Sequence, residues 1–300
     1  MSDAPRLVDS HHHVWDLRRR PQPWLDAPGH GPIRRDFAPG DLRAEATRPL
    51  AGRQLDGTVV VQCVPSVTET RELLHLADRD PLIRAVVGWA DLTSPAIGDV
   101  LDALLADRGG LRLRSLRHLV QDEPDPRWLQ RPDVERGLRA VGLRGLAYDL
   151  LLRDDQFPQA VRLAERLPQL PLVLDHAGKP PLARGDLDGW ERDLRRLAAH
   201  PQVRCKVSGL ITEADHATWT VEGLRPVWDV LLDAFGPDRL MFGSDWPVCV
   251  LAGGWNRWAA AVEELLSGCS PAEVSAVLAG TAADFYRLTP SDRKEPAPCS

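Results

Sequence analysis

Eight apolar, strand-like runs alternate with helical segments along the 300-residue chain, and this alternation predicts an α/β protein of the (β/α)8, or TIM-barrel, type in a single domain. Two further observations point the same way. Polar and titratable residues gather at the C-terminal ends of the runs, the end at which a barrel builds its site. A histidine pair near the N-terminus, His11 and His13, is matched by Asp245 in the last run, and these strand ends meet only if the sheet closes on itself. An open doubly wound sheet is the structural alternative, and the count of eight favours the barrel.

The first run, RLVDSHHHVW (6–15), reads as a strand. Strict alternation places Leu7, Asp9, His11 and His13 on one face and turns His12 toward the helices. Residues 16–50 form a long connection rich in Pro and Gly, expected to lie over the mouth of the barrel. The other runs span residues 56–65, 82–92, 111–120, 145–153, 170–179, 203–212 and 239–248. Between them, segments such as TETRELLHLADR, QFPQAVRLAERL and GWERDLRRLAAH repeat apolar residues at helical spacing. RWAAAVEELLSG and PAEVSAVLAGTAADFYRL add helices after the eighth run. The barrel is thus assigned to residues 1–288, and the polar tail TPSDRKEPAPCS (289–300) is expected to be mobile.

Bulk properties narrow the function. A net charge of −6 gives no basis for nucleic-acid binding. The five cysteines are scattered, with no C-x-x-C pair, which reads as reduced thiols and not as a disulfide frame or structural zinc site. No signal-peptide pattern precedes the first run, and no apolar run is long enough to span a bilayer, so a cytoplasmic protein without membrane contact is expected.

In order, the run ends offer His11 and His13, Gln62, Asp91, His118, Tyr148 with Asp149, His176, Ser208 and Asp245. A barrel interior favours branched apolar side chains, so polar groups there need a reason. His11 and His13 have the chemistry to ligate a divalent ion or to donate to a substrate oxygen. Asp245, in FGSDWP, has the chemistry of a base toward water, or of a metal ligand. The structural alternatives are a satisfied core histidine pair and a helix-capping acid. His176 in LDHAGKP and His118 in LRHLVQDEP are weaker candidates. Lys206, Glu213 and Asp215 gather at the seventh run end, within reach of the pocket, and an exposed ion pair explains them equally well. Arg34, Arg35 and Arg43 in the long connection have the chemistry to bind a carboxylate or sugar oxygen, although such runs are usually solvated. There is no Walker loop, G-x-G-x-x-G or G-x-S-x-G, which disfavours nucleotide enzymes and serine hydrolases.

Six segments, VDSHHHVWD, RHLVQDEPDP, YDLLLR, VLDHAGKPP, CKVSGLITEAD and MFGSDWPVC, resemble the amidohydrolase superfamily, and within it the group of sugar lactonases. They span residues 8–249 in the order of that group. The resemblance implies hydrolysis of a sugar-acid lactone, or a similar small cyclic ester, to the hydroxy acid. Asp245 would take the proton from water, and His11, His13 and His176 would stabilise the oxyanion. His118 and Tyr148 would orient ring oxygens, while Trp24, Trp246 and Gln62 would contact substrate. The bridging lysine and the histidine of two-metal members are replaced by His118 and by Tyr148–Asp149, so no two-metal centre is expected. The resemblance allows one divalent ion on His11, His13, His176 and Asp245, zinc favoured, or none. The rival readings are metal-dependent decarboxylation, amide hydrolysis, and a barrel that binds a sugar acid without turnover. The expected partner is a small-molecule lactone, with the chain a monomer or small homo-oligomer.

Overall fold

Runs of β-branched residues such as Val59–Val61 favour extended backbone buried on both sides, and the structure, a computed structural model describing residues 6–288, uses them as parallel strands. The tail assigned to residues 289–300 lies outside the described residues. The strands are β1 (Leu7–His12), β2 (Leu55–Val61), β3 (Ile83–Gly88), β4 (Leu113–His118), β5 (Ala147–Leu150), β6 (Leu172–Leu174), β7 (Val203–Val207) and β8 (Leu240–Phe242). Each pairs with the next in parallel, in the order β1 to β8. The mouth end closes through Ser10 Oγ donating to the Phe242 carbonyl at 2.6 Å, Asp245 N to the His11 carbonyl at 2.8 Å and His13 N to the Trp246 carbonyl at 2.6 Å. The connections are helical and the result is a (β/α)8 barrel, as the sequence predicts.

Alternation divides the apolar residues into two cores. Val60, Val86, Leu116, Leu150 and Leu174 face the helices, while Val8, Val59, Val61, Ala85, Val87, Val173 and Met241 fill the barrel. Tyr286, just past the last helix (Thr281–Phe285), joins the inner core, and its hydroxyl donates to Asp149 Oδ2 at 2.8 Å. The chain thereby plugs the barrel at the end opposite the mouth.

The first strand departs from strict alternation. Asp9 lies opposite Thr58 and His12 opposite Val60, so three steps on β1 match two on β2. This extra residue is a β-bulge, and it moves Asp9 to the other face from His11. Asp9 is turned outward to Ser244 and Trp255, correcting the expectation that it shares a face with His11 and His13. His12 faces outward as expected, with Nε2 2.9 Å from Thr58 Oγ1.

The long connection packs over the mouth. Trp15 and Phe37 exchange backbone hydrogen bonds at 2.9 and 3.0 Å, and edge-to-face contacts run from Trp24 through Trp15 and Phe37 to Trp246. Of its arginines, Arg34 pairs with Asp26 and Arg35 lies over the Phe37 ring, both within the connection, while Arg43 pairs with Asp80 at the end of the helix Val67–Arg79.

Candidate active site

The bulge brings His11 and His13 inward together. His11 Nε2 lies 3.3 Å from His13 Nε2, and Asp245 Oδ1 lies 3.4 Å from His13 Nε2 and 3.9 Å from His11 Nε2. His176 Nε2 is 4.0 Å from the same oxygen. Four of the six non-glycine residues with positive φ among the described residues are here: His176, Ala177, Lys179 and Asp245. L-residues adopt that region at a cost, and such strain clusters at functional sites. Gly209 makes room for the arrangement, because a Cβ there would come within 2.7 Å of His176 Nδ1.

The tautomer of His13 follows from its surroundings. Its Nδ1 is 2.8 Å from the Val61 carbonyl, which only accepts, so the proton sits on Nδ1 and the Nε2 lone pair faces the Asp245 carboxylate. Two acceptors turned toward each other are relieved by a cation between them. His11, His13 and Asp245 are therefore a group that can hold a metal ion, with ligand atoms within 4.8 Å of one another. His176 Nδ1 meets Ser208 Oγ at 3.0 Å, leaving Nε2 directed at the same place.

A layer of buried charge supports these groups. Arg117 Nη1 donates to Asp175 Oδ2 at 3.1 Å, and Nη2 donates to the Gln62 carbonyl at 2.5 Å. Lys206 Nζ lies 2.6 Å from Asp149 Oδ2 and 2.9 Å from Asp175 Oδ1. Burial works to raise Asp175, but Lys206, His11 and Arg117 outweigh it and hold the carboxyl well below the usual range. Burial likewise opposes ionisation of Asp245, yet His176, His13 and Lys179 keep it below its ordinary value. Burial pushes His176 down to about 4, and burial together with Lys206 pushes His11 well down. At neutral pH Asp245 is thus ionised beside the neutral imidazoles of His11 and His176.

Above this floor opens a cavity of about 460 Å³. Asp245, His13, His176 and Arg117 form its base; Trp24 and His30 come from the long connection. Gln121, Asp122, Lys179, Glu213 and His216 supply polar walls, and Leu119, Leu151, Val248 and Leu251 apolar ones. The volume suits one small ring.

Of the residues singled out in the sequence, His11, His13, His176 and Asp245 converge, and Trp24 lines the cavity. Gln62 lies beneath the cavity, holding Arg117. His118, Tyr148 and Trp246 are not brought to it. Alternation along β4 sends Arg117 inward and His118 outward, where Trp89 Nε1 donates to Nδ1 at 2.9 Å, Nε2 meets Glu123 at 2.6 Å and the ring stacks on Trp128 at 4.0 Å. Tyr148 packs in the helix-side core, while its neighbour Asp149 faces the interior. Trp246 is buried, its Nε1 donating to Glu45 at 2.7 Å. Arg117 and Asp175 escaped the sequence reading; the spacing of Ser115 to Arg117 and of Val173 to Asp175, each two residues inside a strand-like run, was the available signal. Replacing His118 by Ala is therefore expected to cost roughly 1–2 kcal/mol of stability through the lost stack and hydrogen bonds, with turnover within about tenfold of wild type. A urea melt and steady-state kinetics on the variant check both.

A closed parallel barrel with a histidine–aspartate centre at its strand ends defines a barrel enzyme equipped to activate water at a carbonyl or ester. More particularly, the chain belongs to the amidohydrolase family, which it matches over residues 8–288. It is 42% identical over 304 residues to the L-fucono-1,5-lactonase of Burkholderia multivorans, covering 96% of this chain and 98% of that one. The L-fucono-1,5-lactonase of Burkholderia ambifaria is 37% identical, over 94% of this chain and 95% of its own. A crystal structure of an amidohydrolase from Burkholderia multivorans with bound zinc superposes with a TM-score of 0.86 at 40% identity, over 94% of this chain and 99% of that one.

Proposed function

We propose that the chain hydrolyses a neutral sugar-acid lactone, of the L-fucono-1,5-lactone kind, to its open hydroxy acid. The observation that carries this reading is the Asp245 carboxylate on the cavity floor, 3.4 Å from His13 Nε2 and 4.0 Å from His176 Nε2 beneath a ring-sized space. Asp245 accepts a proton from water as the water oxygen bonds to the lactone carbonyl carbon. His176 and Arg117 face the oxygen that gains charge. When the tetrahedral intermediate collapses, the ring C–O bond breaks and Asp245 returns its proton to the departing alkoxide. His11, His13 and Asp245 would hold a zinc ion, whose chemistry there is Lewis-acid polarisation of the carbonyl.

The charge of the cavity wall favours a neutral substrate. Its two fixed cations are both matched: Arg117 by Asp175 and Lys179 by Glu213, 3.4 Å away. A decarboxylase must hold a substrate carboxylate, and no lining cation is left over for it among the described residues. Gln121, Asp122, Glu213, His30 and His216 instead offer donors and acceptors for hydroxyl groups. Among the described residues no helix is long and apolar enough to cross a membrane. The four described cysteines are unpaired, which supports a cytoplasmic site of action.

A pH-indicator assay over a panel of aldono-1,4- and 1,5-lactones tests the reading, run with and without prior chelation. Acid release from a subset of sugar configurations is expected. Silence across the panel from folded protein would sink it and move the choice to amide hydrolysis or decarboxylation. Turnover that survives chelation assigns the oxyanion to His176 and Arg117 alone.

A further inference from the structure

Beneath the histidines the protein carries a cation of its own. The Lys206 side chain, on β7, has no exposed surface. Its Nζ lies 2.6 Å from Asp149 Oδ2, 2.9 Å from Asp175 Oδ1 and 3.1 Å from His11 Nδ1. Asp149 Oδ2 on β5 and His11 Nδ1 on β1 are in hydrogen-bonding geometry with the ammonium, and Asp175 Oδ1 at the end of β6 is its ion-pair contact. Two carboxylates and an imidazole also make a ligand set for a divalent ion. Here a covalently attached charge fills it.

This has a consequence for His11. A metal-bound histidine ordinarily donates its far N–H to a carbonyl or carboxylate, as His13 is placed to do toward Val61. Around His11, cationic donors approach both ring nitrogens, Lys206 at Nδ1 and Arg117 Nη1 3.3 Å from Nε2. A neutral imidazole accepts at only one of them. Asp175 Oδ1, 3.3 Å from His11 Nδ1, receives no hydrogen bond, whereas Lys206 is in hydrogen-bonding geometry with that nitrogen. The network therefore assigns the proton of His11 to Nε2, directed at the His13 Nε2 lone pair 3.3 Å away. A ring whose outward nitrogen is protonated offers a divalent ion no lone pair there, and the Lys206 ammonium at Nδ1 opposes the tautomer that would.

We propose that Lys206 is a positioning residue that fixes the orientation and tautomer of His11 and sets the divalent-metal affinity of the His11–His13–Asp245 group low. The inference rests on the proposed function only in taking that group as the metal-binding one. The test is a zinc titration of the whole protein in competition with a chromophoric chelator. Lys206→Met removes the charge while keeping the stem, and frees His11 Nδ1 to donate to Asp175. Zinc affinity is expected to rise about 10- to 100-fold, the range over which partners of a ligating histidine act. Lys206→Arg, which keeps the charge, is expected to stay near wild type. Lys206→Met leaves Asp149 without its cation; the double variant Lys206→Met/Asp149→Asn removes one charge of each sign and is expected to shift affinity in the same direction. Histidine ¹⁵N shifts give a second readout: the Nε2–H form of His11 in wild type and the Nδ1–H form in the Met variants. Unchanged or weaker zinc binding in the folded Met variants, or an Nδ1–H tautomer in wild type, overturns the proposal. A lactone panel that stays silent while zinc binding tightens would sink the proposed function and leave this inference standing.

Discussion

Asp245→Asn is expected to lower lactone turnover by about 10³-fold, within the range a positioned general base contributes. The loss should fall on kcat, because the carboxylate acts in the transition state, whereas the cavity walls that bind the ring are untouched. Folding should be almost unchanged, and the local geometry says why. Asp245 has φ of 56°, a region in which asparagine is among the least penalised of the L-residues. Its structural hydrogen bonds are main-chain: its N donates to the His11 carbonyl at 2.8 Å, and its own carbonyl accepts from Cys249 N at 3.0 Å. Both survive the substitution. Alanine would be a poorer probe, since it adds backbone strain to the loss of the base. Kinetics and a thermal melt on the same preparation decide the matter. An Asn variant that melts like wild type and keeps more than about a tenth of its turnover removes Asp245 from the role of base.

The strand–helix alternation and the polar run ends were legible because each is a local pattern, repeated eight times. Asp245, His13 and His176 were legible for the same reason: each is the titratable residue nearest a run end. The errors are errors of one residue. In LRSLRH the sequence cannot say whether Arg117 or His118 is the last to face inward, and a one-residue step exchanges cavity for helix layer. Tyr148 and Asp149 pose the same choice. The bulge in VDSHH has no Gly or Pro to mark it; it becomes visible only once Asp9 is seen beside Ser244, 235 positions away. The buried layer was illegible for another reason. Lys206 and Asp149 come from two strands and Asp175 from the end of a third, so their pairing is a property of the closed barrel and of no single segment.

Asp9→Ala is expected to cost on the order of 3 kcal/mol of stability and most of the activity, although Asp9 faces away from the cavity. Its carboxylate joins three parts of the mouth. Oδ1 accepts from His11 N at 3.2 Å and Ser244 N at 2.8 Å; Oδ2 accepts from Ser244 Oγ at 2.5 Å and Trp255 Nε1 at 3.3 Å. The Ser244 hydroxyl oxygen in turn accepts from Trp246 N at 3.0 Å. These bonds tie the bulge that turns His11 inward to the turn that presents Asp245, and both to the helix Gly254–Leu265. Burial pushes the Asp9 carboxyl up to about 6, against the downward pull of the Ser244, His11 and Trp255 donors, so it is still ionised at neutral pH. Removing it relieves the cost of burying a charge but strands several buried N–H groups, each worth roughly 1–3 kcal/mol when unmatched. The second effect is the larger. Asp9→Asn separates the two contributions: its amide oxygen can still accept from both backbone N–H groups, while its NH₂ cannot accept from Trp255 or Ser244. About half the loss of the alanine variant is therefore expected, read as a shift in urea midpoint at constant m. If the alanine variant instead melts with wild type and turns over normally, the bulge holds itself, and the inward placement of His11 comes from the Lys206 and Arg117 side of the ring.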